Sequence, residues 1–430
     1  MLIWNSETSS VDDYKRHSED FYGNGDVAMK AVELFAGAGG LAMGVSLAGF
    51  KSLAVVEWDK WACDTVRDNQ SGGFPLVAAW PLHEGDVRHF NWSEVTEVVD
   101  LVTGGPPCQP FSMGGKHKAY SDSRDMFPAT VDIIRRLRPK AFIVENVKGL
   151  TRSTFANYYQ YILLQLEFPE VPARRDEEWF DHFLRLQAER ASGVQIGKKL
   201  TYNVTATLVN AANYGVPQKR ERVFIVGFRS DLKIDWNFPR PTHSYERLLH
   251  DQWVSGEYWK RHGVAQPSIP SELVAKIRKL ATASAPQVLP WRTVRDAIHD
   301  LPDPQSVEAR GIPNHKFQPG AKVYPGHTGS PLDLPAKTLK AGDHGVPGGE
   351  NMLVNRDGSV RYFTVRESAR IQTFPDGFMF HGSWTETMRQ LGNAVPVALG
   401  HVVARSVAEK LIRKEMELLA MNATLVRGVA

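Results

Sequence analysis

Short apolar runs punctuate the first half of the chain, and each is followed by a turn and then by a segment with helical spacing. AVELF (31–35) meets the glycine turn GAGG and continues into LAMGVSLAGF, which reads as strand, turn and helix. LAVVE (53–57) is the next apolar run. The same beat recurs at PLHEGDV (81–87), VVDLVTGG (98–105), KAFIVENV (140–147), TATLVNAANYG (205–215) and RVFIVGF (222–228). Strands alternating with helices predict an α/β fold built on a doubly wound, mostly parallel sheet with helices on both faces. Ligands of such sheets sit beyond the carboxyl ends of the strands. Glu57, Asp86, Cys108 and Glu145 each fall just after an apolar run, so all four are expected on one rim.

The beat stops near residue 232. From there to 330 the chain holds 11 of its 26 prolines and six of its 14 histidines, with 13 Lys or Arg against nine Asp or Glu. Loops of that composition suit reading of base edges in a nucleic-acid groove, and an inserted domain without that role is the alternative. The expected organisation is an N-terminal extension (1–29), a large strand-helix domain (30–231), a smaller domain (232–383) and a C-terminal segment (384–430) returning to the large domain. Residues 1–29 and the stretch DEEWFDHFLRLQAERASGVQIGKK (176–199) carry no functional reading.

Composition narrows the class. With 430 residues, 42% hydrophobic and 23% charged, the chain can bury more than one core. No apolar run approaches the roughly 18 residues of a spanning helix, and the N-terminus lacks the basic start and apolar centre of a signal peptide. A soluble, cytoplasmic protein is expected. Two cysteines make no disulfide framework, and no Cys/His spacing suits zinc, so no metal is expected. A net charge of +3 permits nucleic acid as a partner without announcing it.

Candidate chemistry lies in the turns. Gly37, Gly39 and Ala42 fit G-x-G-x-x-A, and Glu57 stands 20 residues after Gly37, where a carboxylate would accept ribose hydroxyls. That pattern calls for a cofactor with an adenosine half and leaves open a dinucleotide or S-adenosylmethionine. Cys108 lies in GGPPCQPFSMGG (104–115), a proline-stiffened turn after a strand, which displays the thiol rather than packing it. A nucleophile is the reading preferred there, since the reactive thiolate needs a polar, accessible setting. Cys63, on an expected helix in DKWACDT, is read as a buried structural thiol.

These residues together resemble the DNA (cytosine-5)-methyltransferases. FAGAGG, VVEWD, GDV, GGPPCQPFS, ENV (145–147), QKRER (218–222), TVRESARIQTFPD (364–376) and QLGNAVPVALG (390–400) match that family's motifs in order, from about residue 31 to 405. The resemblance implies S-adenosylmethionine as methyl donor and cytosine in double-stranded DNA as substrate. Cys108 would add to carbon 6 of a flipped-out base. Glu145 would supply the proton at N3 while accepting a hydrogen bond from the 4-amino group, a role that needs a partly protonated carboxyl, which apolar flanks such as Phe142, Ile143 and Val144 favour. Arg222, with Arg220 beside it, would hold the ring oxygen and a nearby phosphate.

On the cofactor side the resemblance assigns the glycine turn, from Ala36 and Gly37 to Gly39 and Gly40, to the methionine portion. Asn393, with Ala394, would help hold it. Phe35 and Trp58 would flank the adenine, Glu57 would take the ribose, and Asp86 the exocyclic amine. Val87 and Pro107 complete the expected cofactor contacts. The stretch SMGGKHKAYSDSRDMF (112–127) is expected to close over DNA.

The implied setting is a prokaryotic restriction-modification system, with a monomeric enzyme paired in function, without a stable complex, with an endonuclease. A transfer RNA cytosine methyltransferase shares the Cys, ENV and arginine motifs, but PCQPFS and the long recognition region favour DNA. A NAD-dependent dehydrogenase would account only for the glycine turn and Glu57. A DNA-binding regulator without catalysis would leave Cys108 and Glu145 unexplained.

Overall fold

A computed structural model describes residues 28–107, 125–193, 199–323, 328–341 and 351–428. They form two compact units. Among the described residues the larger comprises those from 28 to Val209, Glu221–Pro239 and those from Gly400 onward, and the smaller comprises Asn210–Arg220 and Arg240–Leu399.

The larger unit is built on seven strands: β1 (Lys30–Leu34), β2 (Lys51–Glu57), β3 (Leu82–Glu84), β4 (Leu101–Gly104), β5 (Ala141–Val147), β6 (Tyr202–Asn210) and β7 (Glu221–Arg229). Helices α1 (Gly40–Leu47), α2 (Lys60–Ser71), α3 (Phe127–Leu137), α4 (Ala156–Glu167) and α5 (Trp179–Ala191) lie between them in the chain. Strand order is β3-β2-β1-β4-β5-β7-β6. The pairs from β3 across to β5 are parallel, whereas β7 runs antiparallel to β5. Because β1 pairs with β2 on one side and β4 on the other, strand order reverses there, the position at which open α/β sheets form their ligand crevice beyond the carboxyl ends of the strands. The glycine turn leaves β1 at that crevice, and the chain toward Cys108 leaves β4.

Local chemistry explains these elements. β1, β2, β4 and β5 bury nearly every residue, as central parallel strands covered on both faces must. Val32, Leu34, Val56, Val102, Phe142 and Val144 pack against Phe127 and Ile134 of α3 and Ile162 and Leu166 of α4. α2 starts at Asp59, whose Oδ1 accepts from the Ala62 N–H at 3.0 Å. The stretch 176–199 supplies α5, whose Phe183 and Leu186 join this same core. His182 on α5 bonds the Tyr161 hydroxyl (2.8 Å) and the Val171 carbonyl (2.7 Å). Its burial is a structural account of a stretch that the sequence alone left without one.

The smaller unit holds β8 (His243–Ser244), α6 (Tyr245–Trp253), α7 (Glu257–Arg261), α8 (Val274–Ala281), β9 (Leu289–Pro290), α9 (Val294–Ile298), β10 (Ser330–Pro331), β11 (Met352–Val354), β12 (Val360–Tyr362), α10 (Val365–Ile371) and α11 (Trp384–Asn393). The region without a visible strand-helix beat therefore contains several short helices. Side-chain caps define some of them: Ser244 Oγ accepts from the Arg247 N–H, and Thr293 and Asp296 form a capping box at α9. Such caps need only one or two residues and leave little periodicity in a five- to nine-residue helix.

The chain returns to the larger unit at Gly400, later than the expected 384. α11 stays with the smaller unit because Gln372 Nε2 donates to the Leu391 and Ala394 carbonyls. Gly392 also lies against the Lys340–Ala341 backbone, so closely that a side chain there would begin 2.2 Å from Ala341 N. The closing helix α12 (Val397–Gly428) then continues into the larger unit. No helix among the described residues is long and apolar enough to cross a membrane.

Candidate active site

The glycine turn needs backbone shapes that side chains disfavour. Gly37 and Gly39 have φ of 55° and 90°, and Phe35, at 53°, adopts the left-handed region without glycine's freedom. A Cβ on Gly39 would meet the Trp80 ring at 2.7 Å, whereas nothing among the described residues lies within 4 Å of one on Gly37. The turn thus packs at Gly39 and is open at Gly37. Ala36 ties it to β2 by donating to the Val56 carbonyl, and Gly40 begins α1.

Glu57 ends β2 and turns back onto that loop. Its Oε2 accepts from the Gly37 N–H at 2.7 Å, and its Oε1 accepts from the N–H groups of Trp58 (2.9 Å) and Asp59 (2.7 Å). Burial pushes the carboxyl above its usual range, and these backbone donors pull against that. Since a carboxylate oxygen can accept two hydrogen bonds, Oε2 retains capacity for a hydroxyl. Trp58 next to it is 71% exposed, an unusual setting for so large a ring. Asp86 accepts from Arg88 at both oxygens (Nε at 3.0 Å to each), which holds its carboxyl below the usual range. Val87 is buried in the core, and Pro107 is partly exposed at the last described position before Cys108.

Glu145 and Arg222 meet on the opposite side of β4. In the β5–β7 ladder Glu145 faces Phe224 and Arg222 faces Val147, so the two are diagonal neighbours on one sheet face. Arg222 Nε lies 2.9 Å from Glu145 Oε1, and both side chains are nearly buried. Burial lowers the guanidinium's pKa and Glu145 opposes that shift. Ile143, buried and two residues before Glu145, shares its sheet face, whereas the equally buried Phe142 and Val144 alternate to the other face. The cationic partner, in contrast, depends on β7 running antiparallel to β5. Asn146, also buried, donates from Nδ2 to the Pro106 carbonyl at 3.0 Å and so fastens the segment leading to Cys108 to β5. The sequence offered its place in ENV as a signal but no partner for it.

Arg220 turns into the scaffold. It is 0% exposed, and its Nη1 and Nη2 donate to the carbonyls of Leu339 (3.0 Å) and Gly392 (2.7 Å). These are scaffold bonds within the smaller unit. Before β7 begins at Glu221 the segment alternates Gln218 and Arg220 inward with Lys219 outward, whereas Arg222 lies inside the β7 ladder. Asn393 ends α11 as an exposed residue and Ala394 follows it as the helix cap, both in the smaller unit. The structure does not bring them together with the Glu57 rim within one unit. Cys108 and residues 112–124 of the expected closing loop lie outside the described residues. Cys63 is buried, with its thiol donating to the Glu57 carbonyl and pushed up to about 12 by burial, the structural part expected of it.

Two further buried groups escaped sequence reasoning. Glu33 on β1 sits opposite Thr103 of β4, whose hydroxyl donates to its Oε2. An acidic residue within an apolar run is a weak signal, and only strand pairing identifies its partner. Trp80, which braces Gly39, donates from Nε1 to Ser46 Oγ at 3.1 Å.

A sheet that reverses between β1 and β4, with its polar rim at that crevice, is the fold of the S-adenosylmethionine-dependent methyltransferases. Two crystal structures share it at 19% and 16% identity. A putative DNA modification methyltransferase encoded within an E. coli prophage gives a TM-score of 0.53, covering 89% of this chain and 99% of that one. A Spodoptera frugiperda DNMT2 mutant gives 0.52, covering 88% and 99%. The chain belongs to the C-5 cytosine-specific DNA methylase family, which it matches over residues 29–169 and 194–409. It is thus a DNA cytosine-5 methyltransferase. The break in the match contains α5. Among its relatives, the type II methyltransferase M.PspPI of Psychrobacter sp. (strain TA137) is 32% identical over 382 residues, 88% of this chain and 79% of that protein. M.NgoMIV of Neisseria gonorrhoeae, also a type II methyltransferase, is 29% identical over 402 residues, 90% and 98%.

Proposed function

We propose that this chain is the modification methyltransferase of a type II restriction-modification system, acting on cytosine flipped out of a specific double-stranded DNA sequence. The observation that carries the reading is the buried Glu145–Arg222 pair, set beside the segment that Asn146 fastens on its way to Cys108. Names of relatives support the biological setting, and the chemistry follows from the residues.

Carbon 5 of cytosine is a poor nucleophile while the ring is aromatic. Addition of the Cys108 thiolate to carbon 6 breaks the 5,6 double bond and turns carbon 5 into an enamine carbon, with charge moving toward N3. Glu145 in its protonated form meets that charge by donating its proton to N3 while its other oxygen accepts from the 4-amino group, and Arg222 holds Glu145 in place while offering its remaining donors to the ring oxygen. Once carbon 5 had bonded the methyl group that S-adenosylmethionine would supply, loss of the carbon 5 proton to a solvent base with departure of the thiolate would restore the 5,6 double bond and free Cys108. A base stacked in a duplex exposes neither face of carbon 6, so the base must be flipped.

S-adenosylmethionine fits the residues present. The open position at Gly37, the spare capacity of Glu57 Oε2 and the exposed Trp58 ring suit an adenosine with a ribose diol. When bound, it supplies a methyl group on a positively charged sulfur. Phe35 and Trp58 would flank the adenine, Glu57 would orient the ribose, and the N–H groups of the glycine turn would meet the carboxylate end. Asp86 would accept from the exocyclic amine only by sharing an oxygen with Arg88.

The test is bisulfite sequencing of DNA from cells expressing the chain, with the Cys108→Ser variant alongside. Protected cytosines at one recurring sequence are expected with the native chain. The variant should protect none while keeping cofactor affinity, because a serine hydroxyl is scarcely ionised near neutral pH. Protection by the variant within tenfold of native would overturn the covalent route.

A further inference from the structure

The QKRER segment divides its side chains sharply. Gln218 and Arg220 are both buried: the Gln218 side chain bonds Leu339 N and Gln372, and Arg220 bonds the Leu339 and Gly392 carbonyls. Lys219 between them is exposed. Its backbone is nonetheless fixed on both sides, since its N–H donates to the Ala336 carbonyl (2.8 Å) and its carbonyl accepts from the Thr338 hydroxyl (2.7 Å). A lysine mounted so rigidly has lost backbone entropy in advance of any contact.

Its head group lies over two aromatic faces. Lys219 Nζ is 5.5 Å from the Tyr245 ring centroid and 5.7 Å from that of Trp291, and the two rings are 5.2 Å apart. Trp291 is itself held by an Nε1 bond to Asn213 at 3.0 Å. Lys276 approaches Tyr245 as well, at 4.8 Å, but Glu246 accepts from its Nζ at 2.8 Å. Among the described residues no carboxylate lies within ion-pair reach of Lys219, and partial burial by itself lowers the ammonium's pKa. A positioned ammonium with aromatic support and no counter-ion is arranged to receive an anion.

We propose that Lys219 is a phosphate contact, in which its ammonium, steered by Tyr245 and Trp291, binds a phosphodiester oxygen of the DNA substrate. The contact reads no base and adds affinity to every sequence alike. It rests on the reading of this chain as a DNA methyltransferase and adds to it a residue outside the chemistry, three positions before Arg222.

The experiment is fluorescence-anisotropy titration of a labelled duplex of arbitrary sequence across a series of salt concentrations, for the native chain, Lys219→Gln and Lys219→Arg. One phosphate contact contributes about 0.9 to the slope of log affinity against log salt. Lys219→Gln should flatten that slope by about this amount and weaken binding roughly three- to tenfold near 0.1 M salt, with an unchanged melting temperature. Lys219→Arg should retain both slope and affinity. An unchanged slope for Lys219→Gln overturns the proposal, whether or not the protein melts earlier, because a merely structural lysine would move the melting temperature alone. Bisulfite sequencing of the native chain separates the two readings: a flattened slope without methylation would keep the phosphate contact and remove the proposed function.

Discussion

Glu33 and Glu57 show how differently two buried carboxylates can be treated one strand apart. Glu57 is met by three backbone N–H groups. Glu33, 2% exposed, has the Thr103 hydroxyl, and burial pushes its carboxyl up to about 7 from an ordinary 4.5. A raised acid in the folded state favours folding at low pH. Its contribution is complete below pH 4.5, falls as the unfolded chain ionises, and is lost by about pH 7, a swing of about 3 kcal/mol. Glu33→Gln should keep the bond to Thr103 and remove the swing. Urea unfolding of both proteins from pH 4 to 9 measures this directly. The native chain should lose stability relative to the variant between about pH 4.5 and 7, and parallel curves would show that Glu33 is not held neutral.

At the scale of elements, the decisive contact in the larger unit is the close crossing of α1 and α12. A Cβ on Gly44 would begin 2.4 Å from His401 N and 2.6 Å from Gly400 C, both backbone atoms that no rotamer change can move. Helix propensity alone would make Gly44→Ala stabilising by about 1 kcal/mol. Steric overlap with a helix backbone should reverse the sign, since overpacking costs about 1–3 kcal/mol even where side chains can yield. The expected outcome is a net loss of about 2 kcal/mol in chemical denaturation, with α1 shifted and the glycine turn at its start disturbed. A more stable Gly44→Ala protein would mean that the helices cross less closely than described.

For the molecule as a whole, the proposed chemistry and the expected recognition fall in different stretches of chain. Glu57, Glu145 and Arg222 belong to the larger unit, while most of 232–330 belongs to the smaller one. Substituting Arg or Lys residues within that stretch should give two behaviours. Loss of a base-edge contact should cost roughly 1–3 kcal/mol at one base pair, and loss of a phosphate contact should weaken all duplexes together. Single-turnover methylation across a panel of duplexes distinguishes them. Equal slowing of the chemical step on every duplex, with site preference intact in all variants, would move recognition elsewhere.

Much of this was legible from residues alone. The strand-helix beat, the glycine turn and the acid at the end of the second run follow from periods of 2 and 3.6 and from conformations that glycine favours, so β1, α1, β2 and Glu57 could be read locally. Eight motifs in order pointed to the family before any coordinate. What pairs with what was not local. The Glu145–Arg222 contact depends on β7 running antiparallel to β5, and the Asn146–Pro106 bond on β5 lying beside β4. Neither strand direction nor adjacency is written in a short apolar run. QKRER makes the same point most sharply, because three cations in four residues look alike as a string. Tertiary packing then buries Arg220 as scaffold, aims Arg222 at Glu145 and leaves Lys219 on an aromatic face, since each side chain takes the partner that its side of the backbone meets.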